Sequence, residues 1–497
     1  MRTRTSKTVC AAVNLKAISK NVGMALLVSS LFMFISMCIS IHDGFDSGFL
    51  PLAVGCIVTF IVGVFPFIFV RGSQNISLKD GFIIIILSWT LSFIFGMLPY
   101  VMWGGEISIV DAWFESVSGF TTTGATILND VESLPRSLLF WRSSTHFIGG
   151  LGVVVFLLLI LPSASPFRQR ITKLEVSSLS KEGYRLQSRR MVFIITSVYL
   201  GITFSACMSY WACGMSFYDA INHAFSVVST GGFSTRNASI AHFNSTAVTL
   251  VTTLFMFLAA TNFALIYICI VRHSLRPLVG NPLMRFYFCS TVIMSIMVIC
   301  SLYFKDPDTH GWGDAILSGL SMTVSYVTTT GFCLKDNTFW PPLACVVLFY
   351  ASVQCGMAGS TTSGLKVDRM VVAFKAVKRQ ITSSLHPSNT SSIKIGGSFV
   401  PNEQLLPIIL HMVLYFFVCC VSIAGLMMCG VDILESVAGT VASLSNVGAS
   451  LGSISAAGNY DAIPAMGKFI YSLDMFLGRI EIYPLLVVVS LLFNRQK

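Results

Sequence analysis

Long apolar runs recur along the chain and are separated by short polar segments. A helix that crosses the hydrocarbon core of a bilayer, about 30 Å thick, needs roughly 20 predominantly apolar residues. Runs of that length predict ten membrane spans, at residues 21–41, 50–70, 80–103, 137–162, 191–212, 245–271, 284–304, 339–358, 405–429 and 465–493. The first run is too long for a signal-peptide core and no small-residue cleavage site follows it, so we interpret it as a retained helix.

Composition supports this interpretation. Hydrophobic residues make up 54% of the 497 residues and charged residues only 11%, whereas charged residues make up about 25% of ordinary soluble domains. Most cysteines fall inside the apolar runs without metal-ligand spacing, which predicts helix packing rather than a metal site. The net charge of +10 is not gathered on a soluble domain, so nucleic acid is not predicted as a partner.

The basic residues lie mainly in alternate loops. Lys and Arg residues concentrate within 2–20, 71–79, 168–190, 272–285, 366–394 and 495–497. Because Lys and Arg in short loops are retained on the cytoplasmic side, this pattern places all these segments on one side of the membrane. Both termini are therefore predicted to be cytoplasmic.

Four loops on the opposite side share one internal order: an acidic residue, a short amphipathic helix and a polar turn with glycine. The segments read DAWFESVSGFTTTGAT, DAINHAFSVVSTGGFST, DAILSGLSMTVSYVTTTGFC and DILESVAGTVASLSNVGAS. We predict that the leading acids are the helix N-caps: Asp111, Asp219, Asp314 and Asp432. This fourfold repetition predicts four units, each made of a span, a short helix with its turn, and a second span.

Such polar turns need an explanation inside a membrane protein. Unsatisfied backbone groups in lipid cost several kcal/mol each, so the turns must be buried in protein or line water. Hydroxyl and carbonyl oxygens that replace water suit a dehydrated monovalent cation, and the short helices point their negative C-terminal ends toward the same centre. The predicted filter residues are Thr122, Thr123, Gly124, Thr230, Gly231, Gly232, Thr329, Thr330, Gly331, Asn446, Val447 and Gly448.

These segments resemble the Trk/Ktr/HKT superfamily of potassium transporters, and most closely its bacterial TrkH-type branch. The resemblance spans nearly the whole chain and includes FIGGLGVVVF at 147–156, STGGFST at 229–235, GMAGSTTSGLKVDR at 356–369 and MFLGRIEIYPLL at 475–486. It implies an all-α polytopic membrane protein with four pseudo-symmetric repeats around a central pore and two extra N-terminal transmembrane helices. The corresponding divisions are 1–75, 76–165, 166–275, 276–395 and 396–497.

The resemblance also implies a function and partners. The expected activity is channel-like uptake of K⁺ through the bacterial inner membrane, by a homodimer with cytoplasmic nucleotide-binding regulatory subunits of the TrkA type. Glycine at all four turns is the arrangement that goes with potassium in related proteins, and rubidium is a second candidate ion. The regulatory subunits are expected to dock on the basic segments 165–190 and 366–395.

The eighth predicted span is interrupted by GMAGSTTSG, so this helix is predicted to be broken. The resemblance implies an intramembrane gating loop here, formed by Gly356, Ala358, Gly359, Ser360, Thr361 and Gly364. A close helix crossing made by small residues is the alternative. Lys366 follows this segment. It is either an anchor of the loop or one of the basic residues that are retained on the cytoplasmic side.

Arg479 is unusual within an apolar run, because a buried arginine normally faces a partner or a water-filled cavity. The resemblance places Arg479 below the filter, where its charge would regulate cation passage. A buried salt bridge with Glu481, Asp474 or another acid is the alternative.

Other functions are less well supported. A symporter coupled to protons or sodium would need an intramembrane titratable group, for which His146 and His223 are candidates, although such histidines are more often packing residues. GASLG at 448–452 fits the G-x-S-x-G pattern of a serine hydrolase, but the last histidine is His411, so no triad histidine follows it. The sequence therefore predicts a transporter and not an enzyme.

Overall fold

The fold is built from helices, some of which are long enough to cross a membrane and some of which are short. The computed structural model describes residues 13–72, 77–105, 107–160, 188–305, 311–386, 393–395, 398–399 and 402–493. Two N-terminal helices, α1 (Leu15–His42) and α2 (Phe49–Phe69), pack against each other along their length. They precede four repeated units, as the sequence predicts.

Each repeat contains a first span, a short helix and a second span. The first repeat comprises α3 (Leu78–Gly96), α4 (Leu98–Trp103), α5 (Ile109–Phe120) and α6 (Arg136–Ile160). The second comprises α7 (Ser188–Ala212), α8 (Phe217–Val228), α9 (Thr246–Ala259) and α10 (Phe263–Val271), and the small helix α11 (Arg276–Gly280) follows it.

The other two repeats have the same order. The third comprises α12 (Pro282–Lys305), α13 (Trp312–Val327), α14 (Pro342–Gln354) and α15 (Val367–Leu385). A small antiparallel pair, β1 (Lys394–Ile395) and β2 (Ser398–Phe399), leads into the fourth repeat. That repeat comprises α16 (Asn402–Met428), α17 (Ile433–Leu444), α18 (Ala465–Arg479) and α19 (Tyr483–Phe493).

The repeats close into a ring. The second span of each repeat packs against the short helix of the next one: α6 contacts α8, α9 contacts α13, α14 contacts α17, and α18 contacts α5. The last of these contacts joins the fourth repeat to the first. The turns that follow the four short helices are thereby brought to a common centre.

Not all ten predicted spans are single straight helices. Within the described residues, six helices are long and apolar enough to cross a membrane, or seven if one bent pair counts as a single span. The predicted span 245–271 bends by 100° between α9 and α10, where the Asn262 side chain accepts a hydrogen bond from the backbone of Leu265 and starts a new helix. The span 465–493 breaks after Arg479, and 339–358 is helical only to Gln354.

Three of the four predicted N-caps, Asp111, Asp219 and Asp314, are wrong, whereas Asp432 is confirmed as an N-cap. The caps of the short helices are Ser108, Ser216, Gly311 and Asp432, and the acidic residue lies at the third helical position in each, as Asp111, Asp219, Asp314 and Glu435. In α5, the Asp111 and Ser108 side chains bond each other's backbone groups in a capping box. Glu435, rather than Asp432, is therefore the counterpart of Asp111.

The outer surfaces of the N-terminal helices and of the repeats carry large exposed apolar side chains. Large side chains such as Phe65 and Phe69 on α2, Phe204 on α7 and Phe417 on α16 are more than half exposed. Exposed large apolar side chains on membrane-length helices are typical of surface that contacts lipid rather than water. The chain is a multi-pass membrane protein.

Candidate functional site: a ring of four turns

The four turns share one backbone conformation. The residue two positions before the aligned glycine has a left-handed conformation in each turn, with φ between 53° and 55° for Thr122, Thr230, Thr329 and Asn446. The next residue donates its N–H to a carbonyl five residues earlier, for example Thr123 to Ser118 at 2.9 Å. This pairing is the Schellman motif, which ends a helix and turns the chain sharply. Non-glycine residues rarely adopt this conformation, and its occurrence at four equivalent positions shows the repetition directly.

The aligned glycines lie side by side in a closed ring. Each has a positive φ: 81° for Gly124, 87° for Gly232, 72° for Gly331 and 74° for Gly448. A Cβ atom added to any one of them would overlap the carbonyl oxygen of the residue before the next glycine. These oxygens belong, in order, to Gly231, Thr330, Val447 and Thr123.

This arrangement explains why glycine is required. The backbone of one turn lies against the backbone of the next, leaving no room for a side chain. Every one of the twelve predicted filter residues lies in these four turns, and four backbone carbonyls alternate with four glycines around one centre. Such an array of oxygens can replace the hydration shell of a cation.

The side chains of the turns point to different partners. The hydroxyls of Thr121 and Thr123 lie 2.8 Å apart, and those of Thr328 and Thr330 repeat this contact at 2.8 Å. In the fourth turn, the Asn446 amide donates to Thr123 Oγ1 at 2.9 Å and to the Met475 carbonyl at 2.8 Å. The least typical turn in the sequence is thus tied to its neighbour by hydrogen bonds.

A cavity of about 140 Å³ opens beside the ring. All four glycines line it, together with residues that follow each turn, such as Ala125, Phe233 and Cys333. Because the residues after the turns lead away from the short helices, this cavity lies on the side opposite the broken segment.

The predicted break in the third repeat is confirmed. Residues 355–366 form no helix between α14 and α15, and Cys355 and Lys366 at the two ends have positive φ angles of 57° and 61°. The segment is bonded to the bend of the second repeat: Met357 donates to the Ala260 carbonyl at 3.0 Å, and the Asn262 amide donates to the Ala358 carbonyl at 2.7 Å.

The predicted gating residues lie together in this segment. Thr361 Oγ1 donates to the Val228 carbonyl at the end of α8, at 3.0 Å, so the segment lies directly behind the second turn. Gly359 and Gly364 both have positive φ angles. A side chain at Gly356 would collide with Thr362 and with the Ala260 carbonyl, which shows how closely the segment is packed.

Arg479 binds the broken segment and not an acid. Its Nη1 donates to the Thr361 carbonyl at 2.8 Å and to Ser363 Oγ at 3.0 Å, and its Nη2 donates to the Gly149 carbonyl at 3.2 Å. The side chain is almost completely buried. The alternative of a salt bridge with Glu481 or Asp474 is therefore wrong, because Arg479 bonds backbone and hydroxyl oxygens.

Glu481 has other partners. It accepts from Lys366 Nζ at 2.7 Å and from Arg369 Nη2 at 2.5 Å, and Arg369 Nη1 lies 3.2 Å from His411 Nε2. Lys366 therefore anchors the end of the broken segment to the break between α18 and α19. The sequence signal for this pairing is that Glu481 is an acid within an apolar run, with no basic neighbour of its own except Arg479.

A second buried ion pair was not predicted. Arg142 Nε lies 2.5 Å from Glu115 Oε1, and both side chains are 2–3% exposed. Glu115 also accepts from the Ile127 backbone at 3.2 Å, beyond the first turn. The available signal was an acid in a short helix and a base in an apolar span, each of which requires a partner when buried.

Two further predictions can be placed. Most of the basic segment 165–190 lies outside the described residues, whereas much of 366–395 forms α15. The GASLG match is wrong as a hydrolase site, because its Gly448 belongs to the ring and follows the helix α17 rather than a strand.

Comparison with known proteins agrees with this architecture. Residues 52–497 match the TrkH family model, described as a cation transport protein. The Trk system potassium uptake protein TrkG of Escherichia coli K12 is 34% identical over 396 residues, covering 78% of this chain and 80% of TrkG. TrkH of Salmonella typhimurium is 32% identical over 395 residues, with the same coverage.

A solved structure is also similar. The potassium transporter TrkH from Vibrio parahaemolyticus superposes with a TM-score of 0.86 at 29% sequence identity, covering 95% of this chain and 98% of that protein. The family is one of transporters and not of enzymes, as the sequence predicts. With its ring of four turns and a family match over most of its length, the chain belongs to the TrkH family of cation transport proteins.

Proposed function

We propose that this protein takes up potassium across the cytoplasmic membrane of a bacterium through the ring of four turns. The closed ring of carbonyl oxygens and glycines is the observation that carries this proposal. The matched relatives are potassium uptake proteins by name, which supports the choice of ion.

The ring suits a monovalent cation for two physical reasons. Carbonyl dipoles compensate for lost water without binding so tightly that the ion cannot leave. The C-terminal ends of α5, α8, α13 and α17 meet at the ring, and each contributes roughly half a negative charge. Potassium is therefore the proposed ion, and rubidium is expected to follow the same path.

We further propose that residues 355–366 gate the pore. The segment lies behind the second turn, and Arg479 connects it to the carbonyl of Gly149 in the first repeat. A guanidinium group in this position adds positive charge on the exit path and holds the segment in place. Lys366 and Glu481 fix the end of the segment from the other side.

The proposed assembly follows the resemblance to Trk proteins. It is a homodimer in the inner membrane with both termini cytoplasmic, regulated by TrkA-type nucleotide-binding subunits that dock on the basic loops. The basic residues of α15, such as the exposed Lys378 and the half-buried Lys375, lie within the predicted docking segment.

Channel-like conduction is favoured over coupled symport. His223 Nδ1 lies 2.7 Å from the Asp219 carbonyl and its Nε2 lies 2.9 Å from Ser234 Oγ, so both nitrogens are in hydrogen-bonding contacts of a packed residue. His146 is also buried and lies against the second turn. Proton or sodium coupling is retained as an outcome of the test.

The test is cation uptake into sealed liposomes that contain the purified protein. Potassium, rubidium and sodium uptake are compared for the unmodified protein, for Gly124→Ser and for Gly201→Ser. Gly201 lies on α7 with open space around its Cβ position and an ordinary φ, so it is a matched control. A parallel set of liposomes carries a pH gradient or a sodium gradient.

Gly124→Ser should lower the preference for potassium over sodium by about tenfold or more, because the added side chain overlaps the Gly231 carbonyl oxygen in the ring. A tenfold change corresponds to about 1.4 kcal/mol of discrimination between the two ions. Gly201→Ser should leave the preference unchanged. Potassium uptake that is driven by an imposed pH or sodium gradient would support symport instead. Absence of cation uptake both without and with an added regulatory subunit, for a correctly folded protein, would overturn the proposal.

Replacing Arg479 with glutamine is expected to increase potassium flux several-fold. The change removes the positive charge and the paired hydrogen bonds to Thr361 and Ser363 that hold the broken segment. Flux in liposomes measures the effect, and Arg276→Gln, on the small helix α11, is the control for loss of an arginine outside the pore. An unchanged or lower flux in Arg479→Gln would argue against the gating role.

A further inference from the structure

The second turn differs from the other three in what lies beside it. At the position before the ring glycine, the other turns have Thr123, Thr330 and Val447, whereas the second turn has Gly231. The φ angle of Gly231 is not in the left-handed region, so φ alone does not require glycine here. The reason for glycine at this position is therefore the surroundings and not the backbone.

His146 of α6 takes the space of the absent side chain. A Cβ atom added to Gly231 would overlap Nδ1 of His146, with Cγ and Cε1 also in contact range. His146 is completely buried, and its Nδ1 lies 3.3 Å from Ser226 Oγ in α8. The imidazole therefore fills, from another helix, the volume that a threonine or valine side chain fills in the other turns.

The hydroxyl of Ser226 shows a related difference. Its counterparts Ser118 and Ser325 donate to the carbonyl of the residue after the ring glycine, at 2.6 Å and 3.0 Å. Ser226 instead contacts the imidazole of His146. The local bond that steadies the first and third turns is replaced in the second by a contact with α6.

The residue after the ring glycine is held by the same helix. The Arg142 guanidinium carbon lies 3.5 Å from the ring centre of Phe233, and the His146 ring stacks on Phe233 at 4.0 Å with an angle of 13°. Two groups this close to one ring centre cannot share a face, so Phe233 lies between them. Arg142 and His146 are one helical turn apart, so both side chains leave α6 on the same face.

Arg142 also connects this arrangement to the first turn. Its Nη1 donates to the Ser234 carbonyl at 3.0 Å, and its Nε bonds Glu115 in α5. Glu115 in turn accepts from Thr126 Oγ1 at 3.1 Å. The chain on both sides of Gly232 in the second repeat is thus held by side chains of one helix of the first repeat, and that helix is in turn bonded to Glu115 of α5.

We propose that His146 and Arg142 act as positioning residues that hold the Gly231 carbonyl in the ring, and that His146 thereby helps to set the selectivity among monovalent cations. We call the set Arg142, Phe233 and His146 the α6 clamp. The proposal rests on the proposed function of the ring as an ion filter. The Gly231 carbonyl is the oxygen that lies against Gly124, so a displacement there would alter the contact between the first two turns.

The proposal is tested with a compensating pair of substitutions. His146→Ala removes the imidazole, Gly231→Ala adds a methyl group that collides with it, and the double variant replaces one group with the other. Potassium, rubidium and sodium uptake into liposomes and the thermal unfolding of each purified variant are measured. Val298→Ala in α12 is the control for a cavity in the third repeat, since Val298 is also completely buried.

Each single variant should lower the preference for potassium over sodium by about threefold to tenfold, and the double variant should recover to within about twofold of the unmodified protein. Val298→Ala should lower the unfolding temperature without changing the preference. If a single alanine variant does not fold, His146→Gln, which keeps a polar side chain of similar length, is compared with the double variant.

Gly124→Ser separates failure of this inference from failure of the filter itself. If Gly124→Ser changes selectivity but His146→Ala and Gly231→Ala do not, the α6 clamp has no role in selectivity and the filter stands. If none of the three changes selectivity, the ring is not the filter. Single variants that change selectivity without recovery in the double variant would also overturn the positioning role.

Discussion

Gly448→Ala is expected to reduce both potassium uptake and the preference of the protein for potassium over sodium. The effect should be as severe as that of Gly124→Ser. Both glycines have a left-handed backbone, which costs an L-residue roughly 1–2 kcal/mol, and both lie against a neighbouring carbonyl oxygen. The sequence around Gly448 is the least similar of the four turns, yet its geometry is equivalent. A loss of about tenfold or more in liposome uptake is expected for each variant.

Gly452→Ala is the control for this comparison. Gly452 also has a positive φ, of 73°, but the nearest atoms to its Cβ position belong to the flexible side chain of Leu434. It therefore tests backbone strain without contact between turns. A mild effect of Gly448→Ala, similar to that of Gly452→Ala, would mean that the fourth turn does not contribute to the ring as the first does.

Glu115→Gln is expected to destabilise the protein by about 3–5 kcal/mol, because it leaves the buried Arg142 without its counter-charge. Unfolding of the purified protein in detergent, by heat or denaturant, measures this effect. The loss should exceed that of most single substitutions, which cost about 0.5–3 kcal/mol.

The control for charge removal is Asp314→Asn. Asp314 pairs with Lys335 at 3.2 Å, but both side chains are more than 40% exposed, so the loss should stay below about 1 kcal/mol. Equal losses for Glu115→Gln and Asp314→Asn would show that burial does not strengthen the dependence of Arg142 on its partner.

The repeated units could be predicted because their signal is local. Each turn needs glycine at one position, so Gly124 and Gly448 align even though the surrounding residues differ. The register of the short helices was harder to obtain. Helix α13 has 16 residues where the others have 12, and Asp432 stands at a cap in α17, which hid the equivalence of Glu435 and Asp111.

The bends and long-range partners could not be predicted from hydropathy. At its 100° bend the run 245–271 has the polar residues Thr261 and Asn262, which an average over the apolar run does not register, and the backbone there bonds the broken segment of the third repeat. Arg479 was correctly singled out as buried, but carbonyl oxygens from distant segments leave no pattern in the sequence. The α6 clamp depends on the absence of a side chain at Gly231. This absence can be recognised as significant only when the second turn is compared with the other three.

The broken segment is shared by the whole ring of repeats and does not behave as a flap on one of them. It belongs to the third repeat, bonds Ala260 and Asn262 of the second, and reaches the first and fourth through Arg479. A small rotation of any repeat would therefore stretch or relax its supports. These hydrogen bonds form a direct mechanical link between the spans of all four repeats and the centre of the protein.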